Sequence, residues 1–127
     1  MSQYKIPEWE INGVKLPFDF DDLDTMERYK KALAQMNKDA KTVIVEGDRA
    51  EIIKSHYDIF SKVYDTIFGE GTSEKIFKGK ANLRQCFETY DNFVEFVKQC
   101  RNRSDNAYNQ RMQKYIGKDK RNKRKHK

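Results

Sequence analysis

The chain is poor in the residues that carry catalysis and metal binding. Its 127 residues hold two cysteines, two histidines, two prolines and one tryptophan. The histidines, His56 and His126, stand far from each other and from either cysteine, so no pair has metal-ligand spacing. Cys86 and Cys100 fall in what reads as one helix, about 21 Å apart at 1.5 Å per residue. A disulfide needs Cα atoms within about 7 Å, which leaves two free, core-facing thiols. No apolar run approaches the roughly 18 residues of a membrane span. The opening MSQYKIPEWE has no apolar stretch of the secretory kind, so the expectation is an intracellular protein without membrane contact.

Nucleophile and nucleotide signatures are absent as well. There is no G-x-S-x-G and no H-E-x-x-H. The stretch Phe68 to Lys80 has three glycines and a basic end, yet Gly71 and Gly79 are too far apart for a P-loop, and Ala81 follows Lys80 where Ser or Thr is required. The acidic cluster Asp21, Asp22, Asp24 and Glu27 lacks the alternating ligands and central Gly of a calcium loop, and is read as complementing a helix dipole. The expectation is a protein with no catalytic residues, no metal and no cofactor.

Aromatics and charge are abundant. Phe, Tyr and Trp make up 13% of the chain and charged residues 36%. So many rings imply a folded core despite the polarity. The charge is segregated: residues 1–97 balance at −4 and residues 98–127 at +10, together the net +6. Lys118, Lys120, Arg121, Lys123, Arg124, Lys125 and Lys127 make the end a polycation.

The patterning predicts a mainly α (α+β) domain over residues 1–116. An N-terminal β-hairpin packs on a three-helix core, with a long C-terminal helix and a basic, flexible tail at 117–127. The hairpin spans 4–20 around Asn12-Gly13, whose positions in a tight turn both require positive φ. Ile6, with Trp9 and Ile11, faces apolar surroundings on the first strand. Val14, Leu16, Phe18 and Phe20 alternate with polar residues and proline on the second. Pro7 and Pro17 belong at a sheet edge.

Helices are predicted at about 22–38, 48–68 and 81–116. Asp22 or Asp24 caps the first, with Leu23, Met26, Tyr29 or Lys30, Leu33 and Met36 on its apolar side. Val43 to Val45 forms a short strand or an extended linker. Asp48 caps the second helix and Gly69 stops it. Its seam is Ile53, Tyr57, Phe60, Tyr64 and Ile67, with His56 beside it as a packed or surface histidine. Thr72 or Ser73 then caps a short turn presenting Ile76 and Phe77. In the third helix Leu83, Phe87, Tyr90, Val94 and Val97 repeat the four-three stepping, next to a stripe of Cys86, Phe93 and Cys100. Past Cys100 the pattern thins to an exposed extension.

Two binding classes compete. The tail can neutralise phosphates, but it lacks interleaved aromatics for base stacking, and the body is acidic. A helical protein-interaction module is favoured. Its partner-binding residues are expected at Phe93, Phe96, Tyr108, Met112 and Tyr115, with Phe96, off the main stripe, as the best exposed contact. The basic tail steers partners, and self-association through the second or third helix accompanies this.

Two blocks carry a family resemblance. The first is Ile11-Asn12-Gly13-Val14-Lys15-Leu16-Pro17-Phe18-Asp19-Phe20 with Asp22 and Asp24-Thr25-Met26-Glu27-Arg28-Tyr29. The second is Phe68-Gly69-Glu70-Gly71-Thr72 with Lys75-Ile76-Phe77, Gly79-Lys80 and Asn82-Leu83. With the basic ending, they resemble tail assembly chaperones of long-tailed bacteriophages and prophages of Gram-positive bacteria. The resemblance implies a protein of the host cytoplasm that coats the helical tape measure protein and gathers tail tube subunits around it. Other phage roles (a scaffold, a minor virion component, an inhibitor of host defence) compete with that expectation, as does nucleic-acid binding through the tail.

Overall fold

A computed structural model describes the backbone of residues 5–125 and the side chains of residues 5–116. Strands β1 (Glu8–Ile11) and β2 (Val14–Pro17) lead into helices α1 (Leu23–Ala40), α2 (Arg49–Phe68), α3 (Thr72–Phe77) and α4 (Leu83–Lys125). The architecture is mainly α with an N-terminal antiparallel hairpin, as the patterning predicts.

Local chemistry sets most element ends. Asn12 and Gly13 turn the hairpin with φ of 49° and 81°, the twist that lets two strands pair without splaying. Trp9 pairs with Leu16 and Ile11 with Val14, so all four point to one face. Asn12 also donates its side-chain amide to the Ile76 carbonyl at 2.9 Å, tying the turn to α3. Ile6, expected to face apolar surroundings, is 44% exposed, because it precedes the paired strands. Asp22 caps α1, accepting the Thr25 backbone N–H at 2.9 Å and its hydroxyl at 2.8 Å. The backbone N–H holds the Asp22 carboxyl below its ordinary value. Leu23, expected on the apolar side of α1, is 74% exposed, while Thr25 and Met26 of the same turn face the body. Residues Val43 to Val45 resolve as an extended linker, with Ile44 and Val45 exposed and the Ile44 N–H donated to the Ser55 hydroxyl.

Asp48 caps α2 through the Glu51 N–H, and Gly69, at φ 116°, ends it. The segment after Gly69 is a one-and-a-half-turn helix, α3, and its cap differs from expectation. Neither Thr72 nor Ser73 accepts for it. The Asp65 carboxylate, from α2, takes the Ser73 backbone N–H at 2.8 Å and its hydroxyl at 3.1 Å. Lys78 and Gly79, both at positive φ, then reverse the chain into α4.

The core is a ring cluster where the hairpin, α1, α2 and α4 meet. Phe93 sits at its centre, with ring centroids of Trp9 at 4.9 Å, Tyr64 at 5.8 Å, and Phe18 and Phe68 at 6.0 Å. The Trp9 indole N–H is donated to Asn92 at 2.8 Å. On α2 the seam is buried from Phe60 to Ile67, while Ile53 and Tyr57 are half-buried. On α4 the adjoining stripe is buried throughout, while the longer one is only partly covered. Cys86, Phe93, Val97 and Cys100 are buried, and Phe87 and Val94 of the presumed main stripe are exposed. Two adjacent stripes with the same spacing are equivalent along one helix; α2 and the hairpin decide between them.

Two buried hydroxyls, those of Ser61 and Tyr64, are left unpaired among the described residues, and the second lies in the core. The Tyr64 hydroxyl is buried and has no hydrogen-bond partner among the described residues, and burial pushes its ionisation well up. An unmade hydrogen bond in a core costs about 1–3 kcal/mol. Tyr64→Phe is therefore expected to raise stability by about 1 kcal/mol, read as a higher urea midpoint at unchanged slope. A lower midpoint would mean that the hydroxyl is satisfied.

Candidate interaction surface

Helix α4 runs 43 residues, about 64 Å, and only its first half rests on the body. Its N-terminus is capped by Asn82, which accepts the Gln85 N–H at 3.0 Å. The last ties to the body lie one turn past Cys100. The Arg101 guanidinium stands 5.7 Å over the Phe20 ring, and the Ser104 hydroxyl is hydrogen-bonded to the Asp21 carboxylate. From Asp105 to Ile116 every side chain is exposed except half-buried Met112.

The projecting part keeps the direction of the core face. At about 100° per residue, Tyr115 lies five whole turns beyond buried Val97, and Tyr108 is only about 20° off the same line. The face that fills the core thus continues past it as a row of aromatics, with Met112 at its side. The charges around it are mostly basic: Arg101, Arg103, Arg111 and Lys114 against Asp105.

The five expected contact residues divide into two groups. Tyr108, Met112 and Tyr115 lie together on the projection. Phe93 is 1% exposed at the centre of the ring cluster and cannot present a contact surface. Phe96 is half-buried, its ring 6.0 Å from Phe18, beside a 380 Å³ pocket lined also by Pro7, Glu8, Gln99, Cys100 and Arg103. It sits off the helical stripe because it packs on the hairpin rather than on a helix. The seven basic residues from Lys118 to Lys127 lie outside the described side chains.

Other reactive groups are occupied structurally. His56 Nδ1 lies 2.7 Å from the Ile52 carbonyl, and its ring meets Phe87 edge-on. Cys86 and Cys100 are free and buried; burial pushes the Cys86 thiol up to about 11 and raises Cys100 as well. At pH 8 such a shift leaves roughly a hundredfold less thiolate than an ordinary cysteine. Alkylation of Cys86 by iodoacetamide is expected to be about a hundredfold slower in the native chain than in urea, and that of Cys100 slower as well. Equal rates would place one thiol in solvent. Among the described residues no three His, Cys, Asp or Glu side chains converge on a point that could hold a metal ion, and no helix is long and apolar enough to cross a membrane.

The geometry is that of a small α-rich domain with one projecting, basic, aromatic-faced helix. The chain belongs to a family of unknown function (DUF6673), whose match covers residues 12–127. Neither the curated proteins nor the solved structures contain a match to the chain.

Proposed function

We propose that the protein is a non-enzymatic phage tail assembly chaperone. It binds the tape measure protein in the host cytoplasm and helps recruit tail tube subunits during assembly. The observation that carries the reading is the second half of α4, where Tyr108, Met112 and Tyr115 continue a core face on which no other described element packs. Burying such aromatics on a long apolar-striped helix gives a chaperone its grip. The basic surroundings hasten encounter with acidic partners.

The test is a tagged pull-down from cells co-expressing the neighbouring phage genes, split with and without nuclease. A large helical protein retained after nuclease supports the chaperone. The +10 balance of residues 98–127 favours the second reading, nucleic-acid binding. Recovery of nucleic acid alone, lost at high salt, would replace the first reading with it.

A further inference from the structure

Four of the large apolar side chains left exposed stand on α4 at multiples of seven residues: Phe87 (46%), Val94 (48%), Tyr108 (62%) and Tyr115 (66%). Arg101 takes the remaining place in the series and leans back over Phe20. A seven-residue repeat is the spacing on which two helices pair along a seam. Beside this stripe runs a second series with the same spacing, Arg84, Asp91, Lys98 and Asp105, all exposed and alternating in sign.

That alternation discriminates among occupants. In two copies aligned parallel and in register the two charge series lie on opposite sides of the seam, so they form no pairs with each other. Two copies aligned antiparallel about a two-fold beside Val94 and Glu95 set Asp91 against Lys98 of the second copy and Arg84 against its Asp105, each pair formed twice. The same axis brings Val94 against Val94 and Phe87 near the second copy's Arg101. Such a contact is closed, so it ends at two copies.

We propose that a second copy of this chain covers the Phe87–Val94 stripe, with the two α4 helices antiparallel and the Asp91–Lys98 pair setting the register. The helices overlap from Leu83 to about Asn106. Tyr108 and Tyr115 then project beyond the overlap at opposite ends of the dimer, free for another partner. Arg84 already has a surface link to Glu88 at 3.7 Å, so the outer pair contributes less than the central one. The inference is independent of what the projecting helix binds.

Sedimentation velocity of the full chain over a concentration series is expected to show a monomer–dimer equilibrium. Asp91→Lys alone and Lys98→Asp alone each turn two attractions into repulsions, and should raise the dimer dissociation constant by roughly tenfold or more. The two together exchange the charges and should restore it to within about threefold. Thermal melts by circular dichroism confirm that these exposed-site variants fold. For orientation, Arg84→Cys chains mixed with Asp105→Cys chains should form a mixed disulfide under mild oxidation. A chain that stays monomeric throughout overturns the proposal, as does a dimer indifferent to the charge swap. A disulfide formed by Arg84→Cys chains alone overturns the antiparallel arrangement.

Discussion

Phe93→Ala is expected to remove about 3–5 kcal/mol of folding stability, the usual cost of emptying a fully buried aromatic site. The residue touches rings from β1, the residue after β2, α1, α2 and its own helix: Trp9, Phe18, Tyr29, Tyr64, Phe68 and Tyr90. These belong to separate elements, so a shift of any one of them cannot close the hole. A domain of this size has about 5–15 kcal/mol in total, and the variant would stand near the edge of unfolding at 37 °C. Urea denaturation followed by Trp9 fluorescence measures the loss directly, because the sole tryptophan lies 4.9 Å from the mutated ring. A variant with wild-type stability but weakened partner binding would return Phe93 to the contact surface. Phe96→Asp, by contrast, is a poor probe of contact, since Phe96 also holds Phe18.

The second large effect concerns the projecting helix. If the proposed function holds, replacing Tyr108 and Tyr115 together by glutamine should weaken retention of the partner protein by about a hundredfold or more, the effect of losing two aromatic anchors. Neither ring touches the body, so the melting temperature should hardly change. Glutamine keeps the helix, which serine would weaken. A titration against the partner purified from the pull-down gives the affinity, and a thermal melt gives the control. Unchanged affinity would remove this face from the binding surface and leave the proposal without its main support.

The features readable from the sequence were those whose physics is local. A positive-φ pair at Asn12-Gly13, an acid at Asp22 or Asp48 ahead of a helix, and a Gly at 69 act within four residues of themselves. Their consequences appear in the order of the letters. The cap of α3 shows the limit: Asp65 reaches Ser73 across a helix end, and the nearer hydroxyls of Thr72 and Ser73 were the natural but wrong choice. The exposure of Phe87 and Val94 shows it again. Period and composition give two stripes on α4, and of the longer one Phe87 and Val94 are left in solvent while Val97 is buried.

The sequence by itself determined the mainly helical class, the hairpin, the starts of three long helices and the stops of the first two, the free cysteines and the segregation of charge. Each follows from short-range sterics, capping or simple counting. The pattern ended the last helix at about 116, where α4 continues to Lys125. Only the tertiary structure decided that Phe93 is the hub rather than a contact, that Phe96 belongs to the hairpin, and that the core face of α4 continues past the body as Tyr108 and Tyr115. Those facts depend on where one element ends against another. Burial is a property of the assembled surfaces, and no single helix carries it in its own period.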